Sequence, residues 1–169
     1  MDDTEADAII ARYAADILAS DGMRREEGYV QHGTTSVFDH SLAVTRASLH
    51  LASALAAAGV SVDTRVLVRG ALLHDYFDYD WHLPRTARPH HAFLHPSYAA
   101  ENARTDFGVS GRCEECIRRH MFPLVPIPPR HVEAWVVCLA DKAVAGRETA
   151  GGILLKVSAL ASRDTNNIP

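Results

Sequence analysis

The chain has 169 residues, 47% of them hydrophobic, and a formal net charge of −4. That length can bury a core, while the acidic balance argues against the basic face that a nucleic-acid polymer requires. No run approaches the ~18 uninterrupted apolar residues of a membrane span. The start, Met1-Asp2-Asp3-Thr4-Glu5, lacks the charged-then-apolar order of a secretory leader, so a cytoplasmic protein is expected.

Helical periodicity dominates. Ile9, Ile10, Tyr13, Ile17 and Leu18 recur at helical spacing and predict a helix over 4–19. The charged stretch 20–29 reads as a loop or short helix. A second helix opens at Ser36-Val37-Phe38-Asp39, a capping arrangement, and stops at Gly59. A third begins near Ser61 or Asp63, and its Val66-Leu67-Val68 and Ala71-Leu72-Leu73 suit a helix buried amid others. The aromatic, turn-prone stretch 76–84 follows. Pro96 suggests the first position of a fourth helix ending at Gly108. Ser110 caps a fifth running to about Arg119, and the prolines of 123–129 forbid its continuation. Val132, Trp135, Val136, Leu139 and Ala143 form a sixth that ends by Gly146; Ile153, Leu154, Val157 and Leu160 form a seventh over 150–162. No strand is convincing. The expectation is one all-α domain of six to seven helices over 1–169, with its core in 33–145 and a frayed tail at 163–169.

Three cysteines do not make a disulfide framework. Cys113-Glu114-Glu115-Cys116 has zinc-knuckle spacing, but no second pair exists to complete a site, and two small helix residues are the simpler reading. His40, His74, Asp75, His95, His120 and Asp141 carry more. With 10 His and 13 Asp in the chain, one His-Asp dipeptide is close to a chance event. Position raises its weight, because each of the six lies on or beside a predicted helix that must pack on the others. Buried imidazoles and carboxylates are costly unless paired or metal-bound. Imidazole with carboxylate and no thiolate suits Fe, Mn, Zn, Ni or Co. Six such groups can serve two ions if Asp75 bridges, and hydroxide held between two ions is a nucleophile near neutral pH.

His40 in Phe38-Asp39-His40-Ser41, the doublet in Leu73-His74-Asp75 and Asp141 in Leu139-Ala140-Asp141-Lys142 resemble the HD-domain superfamily of metal-dependent phosphohydrolases over roughly 33–145. His95 in Leu94-His95-Pro96 and His120 in Arg119-His120-Met121 resemble the extra ligands of its binuclear members. The resemblance implies a helical bundle, two divalent ions (iron first, then manganese, with zinc, nickel or cobalt compatible) and hydrolysis of a small phosphate ester or nucleotide. Two departures stand out. Asp78 occupies the position where related enzymes often carry a phosphate-contacting Lys, and the Gly-Tyr-Pro segment of the cyclic-di-GMP enzymes is missing. Mixed-valent di-iron oxygenases share the same ligand types, and a non-catalytic binding module remains a further alternative.

Phosphate calls for cations. Arg118, Arg119 and Lys142 are the candidate substrate-binding residues, with Asp75, Lys142 and His32 as candidate catalytic ones, His32 as proton donor. Each has a plainer alternative: a solvated helix end for the arginines, a loop histidine for His32. His82, His90 and His91 read as a lid or as surface histidines. Tyr76, Phe77, Tyr79 and Trp81 could stack on a base or plug the bundle, and core packing is the simpler reading. The expected partner is a small phosphorylated molecule; no nucleic-acid polymer and no membrane is expected, and a homodimer is left open.

Overall fold

The computed structural model describes residues 1–83, 88 and 90–165, without the side chains of His32 and of 153–165. Among the described residues the architecture is helical: α1 (Asp3–Leu18), α2 (Asp21–Glu26), α3 (Val37–Ala57), α4 (Thr64–Leu72), α5 (His91–Phe107), α6 (Gly111–Arg119) and α7 (Val132–Thr165), with one small hairpin of β1 (Val30–His32) and β2 (Thr35–Ser36).

Local chemistry explains most of the starts. Asp2 and Glu5 close a capping box on α1. Ser20, Ser36 and Asp63 each accept the N–H three residues on, capping α2, α3 and α4. In the middle of the bundle, α4 packs against α1, α3, α6 and α7. Its Leu67, Val68, Ala71 and Leu72 are fully buried, beside Ile10 and Ile17 of α1, Ile117 of α6 and Val137 of α7. Close approach of α4 to α6 depends on Gly70, where a Cβ would stand 2.5 Å from that of Cys116. Cys113 and Cys116 are buried thiols packed in this seam.

Three sequence expectations need correction. The hairpin is real, with Val30 opposite Ser36 and His32 opposite Thr35. Its strands are too short for alternation to register, and its Gly33 sits at φ +62°, the backbone region that favours glycine. Next, α5 begins at His91, so Pro96 is inside the helix rather than at its start. The added turn is held by the N–H groups of Phe93 and Leu94, which both donate to the His90 carbonyl. Finally, the sixth and seventh helices are one continuous α7. Gly146 costs a helix only about 1 kcal/mol, which packing against α3 and α6 offsets. α7 thus passes through Ser162 and Arg163 to Thr165; residues 166–169 of the expected frayed tail, and the packing of Ile153, Leu154, Val157 and Leu160, lie outside the described residues. No helix among the described residues is long and apolar enough to cross a membrane.

Candidate metal centre

His40 comes from the first turn of α3. His74 and Asp75 follow the C-terminus of α4, where departure from helical geometry lets two consecutive side chains face the same site. His95 lies one turn into α5, His120 caps α6, and Asp141 projects from α7. All six are buried. The bundle therefore gathers, from five helices or their ends, the set singled out in the sequence.

Asp75 is the centre of the arrangement. Its Oδ2 lies 3.4 Å from His74 Nε2 and 3.9 Å from His40 Nε2. Its Oδ1 lies 3.3 Å from His95 Nε2 and 3.5 Å from His120 Nε2. Asp141 Oδ1 completes the first group at 3.2 Å from His40 and 3.7 Å from His74. Donor atoms of His40, His74 and Asp141 fall within 4.8 Å of one another, as do those of His74, Asp75 and His120.

The imidazoles are oriented from behind. Nδ1 of His74, His95 and His120 donates to the carbonyls of Ala71, His91 and Ile117 at 2.7, 2.9 and 2.7 Å. That tautomer turns each Nε2 lone pair into the site. His40 Nδ1 donates instead to Glu148 Oε2 at 2.9 Å, a carboxylate–histidine pair of the kind that supports metal ligands.

A cation fits this donor set. His74 Nε2 and Asp75 Oδ1 are buried without a hydrogen-bond partner, a costly condition unless something positive sits between them. His95 Nε2 and His120 Nε2 approach to 3.0 Å although the other nitrogen of each already donates, so two lone pairs face each other. A divalent ion would relieve both conditions.

The electrostatics agree. Burial works against a charged His40, but Asp141 and Glu148 overcome it and push the pKa up to about 10. His74 is likewise opposed by burial and raised by Asp75 and Asp141. Burial opposes ionisation of Asp75, yet His74 and His95 hold it well below the carboxylate range; His40 and His74 do the same for Asp141. Burial lowers His120 to about 3, so it stays neutral. Without an ion, a proton on His40 balances part of the carboxylate charge. Metal must displace it, so binding at pH 7 is expected to release protons, and apparent affinity should rise with pH toward about 10, the His40 value. Calorimetry in buffers of different ionisation enthalpy measures that release; a zero proton count at pH 7 contradicts the assignment. The linked stability has the matching sign: in the ion-free protein His40 adds stability below its unfolded pKa of about 6.5, and loses it as pH rises through about 10.

A cavity of about 390 Å³ opens beside the cluster, lined by Gln31, Asp75, Trp81, His91, His95, His120, Met121, Leu124, Asp141 and Lys142, among others. Lys142 Nζ donates to the His120 carbonyl at 2.7 Å, so the cation is fixed at the wall. Arg118 and Arg119 require correction. On α6 the inward face runs Cys113, Cys116, Ile117, His120, which leaves both arginines on the other side. They line a separate surface depression with Glu114, Glu115 and Arg130, and Arg118 pairs with Glu114 at 2.7 Å. Asp78 also turns away from the cavity, at φ +56°, to pair with Arg25 through both carboxylate oxygens. The side chain of His32 lies outside the described residues. Its neighbour Gln31, which sequence reasoning passed over, is buried and donates to Asp75 Oδ2. Glu148 was also missed, although it stands seven residues from Asp141, two turns along one face of α7. His91, read as a lid or surface histidine, is built into the wall: it stacks on Trp81 and His95 and bonds the Tyr79 hydroxyl, and burial lowers its pKa to about 4.

Glu148→Gln is expected to weaken metal binding about 10–100-fold, the usual cost of losing an outer carboxylate partner, with little change in folding. Competition with a chromogenic chelator reads that change, and an unaltered affinity rules out the orienting role.

Comparison with family models matches the HD domain over residues 37–146. Neither a search of curated proteins nor one of solved structures finds a match. That matched segment takes in all six clustered ligand candidates and Lys142, and it covers most of the chain. The chain therefore belongs to the HD-domain family.

Proposed function

We propose that this HD-domain chain is a binuclear metal-dependent phosphohydrolase acting on a small phosphate ester or nucleotide. The observation that carries the reading is the division of Asp75, whose two oxygens address two separate groups of imidazoles. In it, His40, His74, Asp141 and Asp75 Oδ2 would hold one ion, and Asp75 Oδ1, His95 and His120 the other. The absence of thiolate donors in the cluster favours iron or manganese, with zinc, nickel and cobalt compatible. When bound, such ions supply Lewis acidity toward phosphoryl oxygens and acidify water.

The chain's own groups then have separate tasks. Lys142, tethered by the His120 carbonyl, presents a positive charge to the phosphoryl group from the cavity wall. Gln31 holds Asp75 Oδ2 through its amide and fixes the plane of the carboxylate. Glu148 keeps the His40 ring facing inward. Trp81, Met121 and Leu124 give one part of the cavity an apolar wall.

Anaerobic purification, metal analysis and chelation followed by Mn or Co reloading provide the test. Restored hydrolysis of phosphomonoesters, cyclic phosphates or dinucleoside phosphates without oxygen is the expected result. A tightly held di-iron centre that consumes oxygen with an organic substrate and cleaves no phosphoester overturns it.

A further inference from the structure

The cavity beside the metal cluster is unlike a polyphosphate site. At about 390 Å³ it lies near the lower end of the ~300–1,000 Å³ usual for small-ligand pockets. Its buried inner end carries Asp75, His120 and Asp141. Away from them, the described wall is almost wholly apolar or aromatic: Trp81 and His91 from the start of α5 and the loop before it, Met121, Pro123 and Leu124 from the segment after α6, Ala145 from α7. Among the described lining residues Lys142 is the one permanent cation.

Three of the described arginines have partners of their own. Arg118 faces a different depression and pairs with Glu114. Arg25 is paired with Asp78, and Arg88 lies over the rings of Tyr79 and Tyr98. A chain of phosphates needs one guanidinium or ammonium after another along its length. A single phosphoryl group needs only the metal cluster and one lysine, and leaves the remaining volume for an organic group. One side of that volume is an aromatic stack: the Trp81 and His91 rings face each other 4.9 Å apart with planes 5° from parallel, His91 stacks in turn on His95, and the Tyr79 hydroxyl locks His91 at 2.7 Å.

Resting on the phosphohydrolase reading, we propose that the substrate is a phosphomonoester whose organic part is compact, ring-sized and predominantly apolar, seated between the Trp81–His91 stack and the Met121–Leu124 segment. The modest volume and the single lysine among the described lining residues disfavour dinucleoside polyphosphates and cyclic dinucleotides.

The test uses the metal-loaded full chain and separates binding from turnover. Calorimetric titration with phenylphosphonate, methylphosphonate and inorganic tripolyphosphate is compared with hydrolysis of phenyl phosphate and methyl phosphate. Phenylphosphonate is expected to bind about tenfold or more tighter than methylphosphonate, as removal of a ring from water requires. Trp81→Ala and, should that variant fold poorly, Leu124→Ser should each narrow the ratio to about threefold. Equal affinity for the two phosphonates, or tighter binding of tripolyphosphate than of phenylphosphonate, overturns the proposal. If monoesters turn over with no preference for the ring, the hydrolase reading stands and this inference falls. If phenylphosphonate is selected but no monoester is cleaved, the hydrolase reading falls and takes the ester assignment with it.

Discussion

Asp75→Ala is expected to strip both ions and abolish hydrolysis, whereas His95→Ala should spare one ion. Asp75 alone touches both imidazole groups, at 3.4 Å through one oxygen and 3.3 Å through the other. Removing it leaves each group one anionic ligand poorer and brings His74, His95 and His120 together with less negative charge to balance a cation. The loss of activity should exceed the ~100-fold upper end found for outer partners of a metal site. Metal content per chain after gel filtration, set beside the rate with reloaded metal, reads both effects. Retention of two ions by Asp75→Ala would show that the carboxylate does not bridge. Asp75→Asn is the companion variant: it keeps the shape of the side chain, so a normal melting temperature with lost metal separates ligation from folding.

The second large effect concerns stability. A Cβ on Gly22 would fall 1.7 Å from the Tyr76 hydroxyl oxygen and 2.6 Å from the ring carbon bearing it. Tyr76 cannot easily yield, since it is buried, bonded to Asp106 at 2.8 Å and next in sequence to Asp75. Gly22→Ala should therefore destabilise by about 1–3 kcal/mol, the range for forced overpacking. At roughly 2–4 °C per kcal/mol for a chain of this size, that is a fall in Tm of several degrees. Adding Tyr76→Phe removes the oxygen but not the ring carbon, so the double variant should recover part of the loss and the two changes should not add. Calorimetric melting of the four proteins completes the cycle, and strict additivity would mean that Gly22 and Tyr76 do not press on each other.

The six clustered residues were legible in the sequence because each is a chemically expensive group next to an apolar helix. Helices were legible for the same reason, since long periodic faces such as those of α1, α3 and α4 leave a strong pattern. What escaped notice was coded weakly. The hairpin is five residues of strand in all, too short for alternation to register. Reading Gly146 as a stop for the helix hid Glu148, which lies beyond it on the face that carries Asp141. Gln31 is a neutral amide whose meaning depends on a strand existing beside Asp75. Arg118 and Arg119 went wrong in the opposite way: proximity in sequence to His120 was taken for proximity in space, although adjacent residues on a helix point in different directions. The phosphate cation that the resemblance leads one to seek at Asp78 is absent there, and that carboxylate is spent on Arg25.

Three of the four imidazoles in the cluster are held by carbonyls three or four residues earlier in the same stretch of chain. Such clasps form with the local backbone and need no partner from elsewhere in the fold. Each ring surrenders its rotational freedom when its own turn forms, before any ion arrives. The ordering entropy is thus charged to folding rather than to ligation. An ion entering the site meets donors already aimed, and its departure leaves them aimed for the next.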